Sequence, residues 1–296
     1  MKPWLLAVMG PTASGKTALA ETVSEATGAQ LLNADAFQMY RGFDIGTGKP
    51  PFPSRYRLMD TLDPTETYGV GKYVREAATE LTSLFDAGQN AILVGGTGLY
   101  IRALTEGYAD MSGPADEAAV SRVDSLQSEG GLDGLLAELD RRAPDTIVDR
   151  MNPVRVRRAL LKLDAPVQPP IDLPAFRIVK MALVPSTSDL DRNITHRVHK
   201  MMQTDWLGEV DRLKRAGYQL SDPAFRAIGY AEMWKVLAGD LDLNEATERI
   251  VTATRQYAKR QRTWLRSEPN LTVIDSLAVG EVDMPLKEVF RQLPEL

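Results

Sequence analysis

The sequence predicts an α/β fold, a parallel sheet with flanking helices interrupted by an all-helical insertion. Short apolar runs alternate with helix-period segments over roughly the first hundred residues, as expected for parallel strands joined by crossover helices. Three of those runs end in Gly-rich or acidic stretches, and in such sheets ligands sit beyond the carboxyl ends of the strands. After Gly107 the texture becomes helical, and an apolar run returns only beyond a proline-rich stretch.

Residues 5–9 read as a short buried strand. They lead into Gly10-Pro11-Thr12-Ala13-Ser14-Gly15-Lys16-Thr17 and then a helical pattern through Leu19, Val23 and Ala26 that stops near Gly28. Residues 30–34 read as a second strand with Asp35 at its carboxyl end. Residues 73–85 suit a helix closed by Gly88, and 91–94 a third strand ending in Gly95-Gly96-Thr97-Gly98. Residues 117–163 are mostly helical in pattern, broken at Gly130-Gly131, and basic towards their end. Pro166, Pro169, Pro170 and Pro174 mark a linker, residues 178–184 a return to the sheet, and helices follow from Asp189. The domain reading is therefore 1–112 with 175–296 as the core and 113–174 as the insertion.

With 296 residues and ordinary charged and apolar fractions, the chain can bury a substantial core. The net charge of -5 argues against non-specific coating of nucleic acid but allows a local basic face. There is no cysteine, which excludes thiolate metal sites and cysteine nucleophiles, and only His196 and His199 offer imidazole. The apolar run after Met1-Lys2-Pro3 is too short for a signal peptide, and no segment is long and apolar enough to span a bilayer. A cytoplasmic monomer with no membrane partner is the expectation.

The motif at residues 10–17 fits G-x-x-x-x-G-K-[ST], a P-loop. Its backbone N–H groups and the following helix N-terminus favour phosphate, Lys16 supplies a point charge, and Thr17 can hold Mg²⁺. Asp35 at a neighbouring strand end can assist a metal ion or activate a nucleophile. The polar loop that follows, with Ala36, Phe37 and Gln38, is placed to touch ligand. Arg192 and Arg197 follow the returning strand, where arginine can clamp a phosphoryl or diphosphate group. Arg255, Lys259, Arg262 and Arg266 recur at spacings of four, three and four, so they share one helix face. A second basic cluster holds Arg155, Arg157, Arg158 and Lys162, preceded by Arg141, Arg142 and Arg150. Charge pattern alone leaves both clusters open between solvated helix faces and nucleic-acid contact.

Several stretches in order along the chain resemble the bacterial tRNA dimethylallyltransferases of the IPP transferase family. They are the P-loop, Asn33-Ala34-Asp35, Gln38-Met39-Tyr40-Arg41-Gly42, Asp44-Ile45-Gly46-Thr47 with Lys49-Pro50, and Val94-Gly95-Gly96-Thr97-Gly98-Leu99-Tyr100. Arg158-Ala159-Leu160, Arg226-Ala227-Ile228-Gly229-Tyr230, and residues 254–261 with Thr263-Trp264-Leu265-Arg266 continue the match. The resemblance implies a kinase-like α/β core and a helical insertion that grips the tRNA anticodon stem-loop. It implies transfer of a dimethylallyl group from dimethylallyl diphosphate to N6 of the adenosine just 3′ of the anticodon.

In that reading Asp35 is the general base, and Thr97 hydrogen-bonds near the reacting groups. The P-loop amides, Lys16, Mg²⁺ at Thr17, and Arg197 meet the charge of the leaving diphosphate. Residues 35–38 (Gln38 as a base reader), Thr97, 155–158 and 226–231, including Gly229 and Tyr230, together with the 255–266 face, contact RNA. The chain departs from the family at Ala36 for serine, Gly48 for alanine, the 56–60 stretch, Asn152-Pro153 for Asp-Pro, and Ala231 for arginine. Two other readings use the same P-loop: a small-molecule kinase, which would not need the basic helix, and an RNA-binding module, which would not need Asp35.

Overall fold

The computed structural model describes residues 2–107, 112–113, 115–169, 171–274 and 283–293. Met1 and Pro170 lie outside these. The chain divides into two compact units, Met1–Gly107 with Asp172–Leu296 and Tyr108–Ile171, where the sequence reading drew the insertion from 113 to 174.

The first unit is built on β1 (Trp4–Met9), β2 (Gln30–Asn33), β3 (Tyr56–Arg57), β4 (Ala91–Gly95), β5 (Arg177–Leu183) and β6 (Leu271–Ile274). All neighbours are parallel, in the order β3-β2-β4-β1-β5-β6. β1 and β4 are buried at every residue, as central strands covered on both faces must be. That is why they read as unbroken apolar runs rather than alternating ones. The sequence reading lacked the two edge strands. β3 is only two residues long and β6 four, too short for an alternating or extended apolar pattern to stand out. The 56–60 departure falls here: Tyr56–Arg57 form the edge strand, and Asp60 just past it pairs with the buried Lys49.

The helices of this unit are α1 (Lys16–Thr27), α2 (Val70–Asp86), α3 (Gly98–Glu106), α6 (Thr187–Met202), α7 (Trp206–Arg215), α8 (Tyr230–Ala238), α9 (Leu243–Leu265) and α10 (Asp283–Gln292). Local chemistry sets their starts: Ser186 caps α6 by accepting from the Asp189 N–H, and Asp242 caps α9 by accepting from Asn244 and Glu245 N–H groups. Leu6, Val8, Leu19, Val23, Ile92 and Met181 form part of one core between the sheet and α1. Each fully buried aliphatic side chain there contributes about 2 kcal/mol. Among the described residues no helix is long and apolar enough to cross a membrane.

The second unit consists of α4 (Glu117–Arg142) and α5 (Pro153–Leu163). Gly131 breaks the helical path of α4 with φ 58° and ψ -141°, at the Gly-Gly pair noted in the sequence. Val123, Leu135, Leu139, Val156 and Leu160 form its own core. Asn152, the departure from Asp-Pro, still caps α5: its Oδ1 accepts from Val154 N–H at 3.1 Å and Arg155 N–H at 3.3 Å.

Candidate active site

The carboxyl ends of β1 and β2 open onto one crevice, and the turn after β4 is tied beside it through Thr97 to Ala36 and Gly96 to Gln261. A cavity of about 240 Å³ there is walled by the P-loop residues Thr12, Lys16 and Thr17, by Asp35, Phe37 and Gln38, and by the 46–48 turn. Arg197 of α6, Arg226, and Tyr257 and Arg260 of α9 complete its polar side, and Trp206, Ile228 and Ile250 supply apolar wall. Lys16, Arg197, Arg226 and Arg260 therefore share a lining whose single carboxylate is Asp35.

The P-loop is held open by tertiary contacts. Gly15 takes φ 89° as it enters α1, a left-handed conformation that glycine adopts without steric cost. Asn193 Nδ2 donates to the Ala13 carbonyl at 3.3 Å, and Gln261 Oε1 accepts from Thr12 N–H at 2.8 Å. Lys16 Nζ donates to the Pro11 carbonyl at 3.4 Å. Burial is the main cause that lowers its pKa from 10.5 to about 8; Asp35 opposes the shift and Arg197 adds to it. Burial likewise lowers the pKa of Arg197, again opposed by Asp35. Two cations and one carboxylate thus sit close enough to feel one another, with positive charge in excess.

Asp35 is fixed by its neighbours in sequence. Its N–H donates to Asn33 Oδ1 at 3.0 Å, and its Oδ1 accepts from Phe37 N–H at 3.2 Å. Asn33 is buried and is itself tied to the Asp35 and Leu58 carbonyls. Ala36 N–H donates to Thr97 Oγ1 at 3.1 Å, a backbone contact that needs no serine hydroxyl. Burial and the Asp35 charge raise the pKa of Tyr257, opposed by the Thr97 and Gln261 side chains near it.

The 44–48 turn holds Arg197 in place. Thr47 O accepts from Arg197 Nη2 at 3.4 Å and from Gln38 Nε2 at 3.2 Å. Gly48 has φ 63°, and a Cβ there would collide with the Arg197 guanidinium, so glycine in place of alanine makes room for it. Buried Glu209 accepts from Asp44 and Ile45 N–H groups and from the Tyr230 hydroxyl, the last at 2.6 Å. Burial raises its pKa, opposed by those bonds.

Of the residues picked from the sequence, the crevice brings together Lys16, Thr17, Asp35, Phe37, Gln38, Arg197 and Arg226. Thr97 joins them through Ala36 and lies near Tyr257. Arg192 does not join: it is exposed and pairs with Asp189. Tyr230 and Gly229, expected to meet RNA, are buried. Tyr230 stands 4.5 Å from Phe43, ring to ring, and bonds Glu209, and Gly229 lies against Trp206. They hold the wall up from behind and offer RNA no side-chain surface. Gln38 commits its amide nitrogen to the Thr47 and Gly48 carbonyls, which leaves its carbonyl oxygen for any base contact.

On α9, Arg255 reaches Thr195 and Asp191, and Arg262 reaches Thr187. Lys259 and Arg266 are exposed. In the second unit Arg157 pairs with Asp124 at 2.7 Å and Arg155 with Asp149 at 3.5 Å, while Arg158 is exposed on the same helix.

The sequence reading missed Arg260, Tyr257 and Gln261 as site residues. Tyr257, Gln261 and Trp264 recur at spacings of four and three, the interval of the cations, on the opposite face of the helix. That spacing places the three on one face and leaves open which strand ends the face meets. As for a metal ion, the described residues contain no group of three acidic, histidine or cysteine side chains, but Thr17 stands in the cavity wall. This donor set fits Mg²⁺, which takes its oxygens largely from phosphate and water.

A family model described as IPP transferase matches residues 38–268, and one described as isopentenyl transferase matches residues 3–58. The tRNA dimethylallyltransferase of Geobacter sulfurreducens is 37% identical over 287 residues, which cover 93% of this chain and 92% of that protein. That of Thiobacillus denitrificans is 38% identical over 288 residues, 92% and 91% of the two chains. Among solved structures, the tRNA isopentenylpyrophosphate transferase of Bacillus halodurans superposes with a TM-score of 0.69 at 28% identity, covering 98% of this chain and 96% of that one. A eukaryotic dimethylallyltransferase acting on tRNA shares the fold, with a TM-score of 0.77 at 21% identity over 97% of this chain and 77% of its own.

Proposed function

The chain belongs to the IPP transferase family, and on that premise we propose that it transfers a dimethylallyl group from dimethylallyl diphosphate to N6 of the adenosine just 3′ of the anticodon of tRNA. The observation that carries this reading is the cavity at the strand ends, where four cations face a single carboxylate. Such a site suits a polyanion beside one group that can take a proton.

The adenine amine forms a bond to the allylic carbon as the carbon–oxygen bond to diphosphate breaks. Asp35 accepts the N6 proton as general base. The departing charge is met by the P-loop amides, Lys16 and Arg197. Mg²⁺, held at Thr17 and by the phosphates, would add charge neutralisation there.

The adenine must leave its stack to react. A second cavity of about 150 Å³ supports this: Phe37, Tyr40, Tyr68 and Tyr100 line it, and it shares Phe37 and Arg226 with the first. An aromatic receptacle of this kind suits an unstacked base, and Asp35 and Ala36 lie where the two cavities adjoin.

The test supplies undermodified tRNA with labelled dimethylallyl diphosphate or labelled ATP. Label is expected in tRNA from dimethylallyl diphosphate with release of diphosphate; label from ATP, or from neither donor, overturns the reading. Asp35→Asn is expected to bind diphosphate and tRNA normally while turnover falls about 10²- to 10⁴-fold. Near-normal turnover would remove Asp35 as the base.

A further inference from the structure

Gln261 lies on the face of α9 turned towards the crevice and is 93% shielded from solvent, its relative exposure being 7%. Its amide is used at both ends: Oε1 accepts from Thr12 N–H in the P-loop at 2.8 Å, and Nε2 donates to the Gly96 carbonyl at 2.9 Å. Gly96 leaves the space the amide occupies, since a Cβ there would collide with Nε2. The next residue, Thr97, is fastened to the Asp35 segment twice: its N–H donates to the Ala34 carbonyl, and its Oγ1 accepts from Ala36 N–H. One side chain therefore spans the gap between the loop that holds the phosphates and the segment that holds the base.

We propose that Gln261 is a positioning residue that fixes the separation between the diphosphate cradle and Asp35, so that its loss costs turnover and spares binding. The inference rests on the transfer reaction proposed above. Bond exchange in that reaction needs the attacking N6, the allylic carbon and the leaving oxygen in line, with the proton acceptor within hydrogen-bond reach of the N6 proton. A misplacement of about 1 Å can cost 10²-fold in rate. Each half-site binds its own ligand without the strap, because phosphate is held by the P-loop and α1, and Asp35 by Asn33 and Phe37.

A buried glutamine could instead do no more than anchor its helix. α9 is anchored without it: Ala246, Ile250, Ala258 and Leu265 are buried, and Trp264 covers Gly98. Just past the helix, Glu268 pairs with Lys180 and Arg102, both at 2.7 to 2.8 Å. Removing the amide leaves those contacts in place.

The test uses the whole protein, undermodified tRNA and dimethylallyl diphosphate, with inorganic diphosphate as the binding probe. Gln261→Met, which keeps the length but not the hydrogen bonds, should lower kcat about 10- to 100-fold. Its Tm and its Kd for inorganic diphosphate and for tRNA should stay within about threefold or a few degrees of wild type. Gln261→Glu adds a readout that mere packing would not move. A protonated carboxyl can accept from Thr12 and donate to Gly96 as the amide does, whereas a carboxylate cannot donate. The ratio of its kcat to that of wild type should therefore rise as pH falls, while the Gln261→Met ratio stays flat. Gly96→Ala, which displaces the amide, should cost turnover in the same way and add little to Gln261→Met.

Wild-type kcat in Gln261→Met overturns the proposal. So does a loss of diphosphate affinity equal to the loss of kcat, a flat ratio for Gln261→Glu, or full additivity with Gly96→Ala. A wild-type protein that transfers nothing to tRNA sinks the transfer reaction itself, which the variants alone could not do.

Discussion

The crevice of the α/β unit and the helical insertion carry positive charge in opposite ways. In the crevice, Lys16, Arg197, Arg226 and Arg260 share one carboxylate. Along α9 no acid occurs between Arg249 and Ser267, and neither Lys259 nor Arg266 has a salt-bridge partner among the described residues. In the insertion the arginines meet acids: Arg122 and Arg142 both pair with Asp164, Arg141 with Glu138, Arg150 with Asp140, and Arg157 with Asp124. The Arg142 and Arg122 guanidiniums hold the Asp164 carboxyl well below the usual carboxylate range. The exposed pairs among these stabilise little, but every pair offsets the positive charge of its arginine. Positive charge is thus left in excess in one region and paired with acids in the other.

The largest effect that could break this contrast is on α9. Replacing Arg262 and Arg266 together by Gln should weaken tRNA binding about 10- to 100-fold and lower the slope of log K against log salt by about one to two. An unchanged slope would return that face to ordinary solvated charge.

Lys16 sharpens the crevice side. With its pKa at about 8, the free protein loses this charge as pH rises, so affinity for inorganic diphosphate should fall by up to about tenfold per pH unit above 8. Lys16→Arg, which stays charged, should flatten that dependence. Folding stability should move the other way. Between about 8 and 10.5 the unfolded chain binds more protons at this lysine, so stability rises with pH across that window. Parallel losses of affinity and stability would point to general unfolding.

The smallest effect is expected in the insertion, where Arg157→Gln should change tRNA affinity less than about threefold and leave the salt slope unaltered. Asp124→Asn, which frees Arg157, should leave tRNA binding no weaker than in wild type. A slope lowered by one in Arg157→Gln would show the insertion's pairs opening onto phosphate and would erase the difference between the two regions.

The contrast was not readable from charge spacing. Both clusters show the same run of Arg and Lys. Some acids that neutralise the insertion are local, as Glu138 is to Arg141, but others lie far along the chain: Asp124 is 33 residues from Arg157, and Asp164 is 42 from Arg122. On α9 the spacing of four, three and four was legible because a helix repeats its faces locally. The interior position of Tyr230 was not, since a tyrosine beside Arg226 looks equally suited to surface or core until Phe43, Trp206 and Glu209 close over it.

The sequence by itself determined the phosphate loop, the strands around it, the acid at the end of β2 and the break at Gly131. These follow from local rules: apolar runs, helical period and backbone conformations that glycine permits. Tertiary structure alone decided that Arg197 would turn towards Lys16 and Asp35 while Arg192 turned to solvent, and that Gln261 would reach Thr12 across 249 residues of chain. Which face of a helix meets which strand end depends on apolar surface buried between distant segments, and no local pattern encodes that choice.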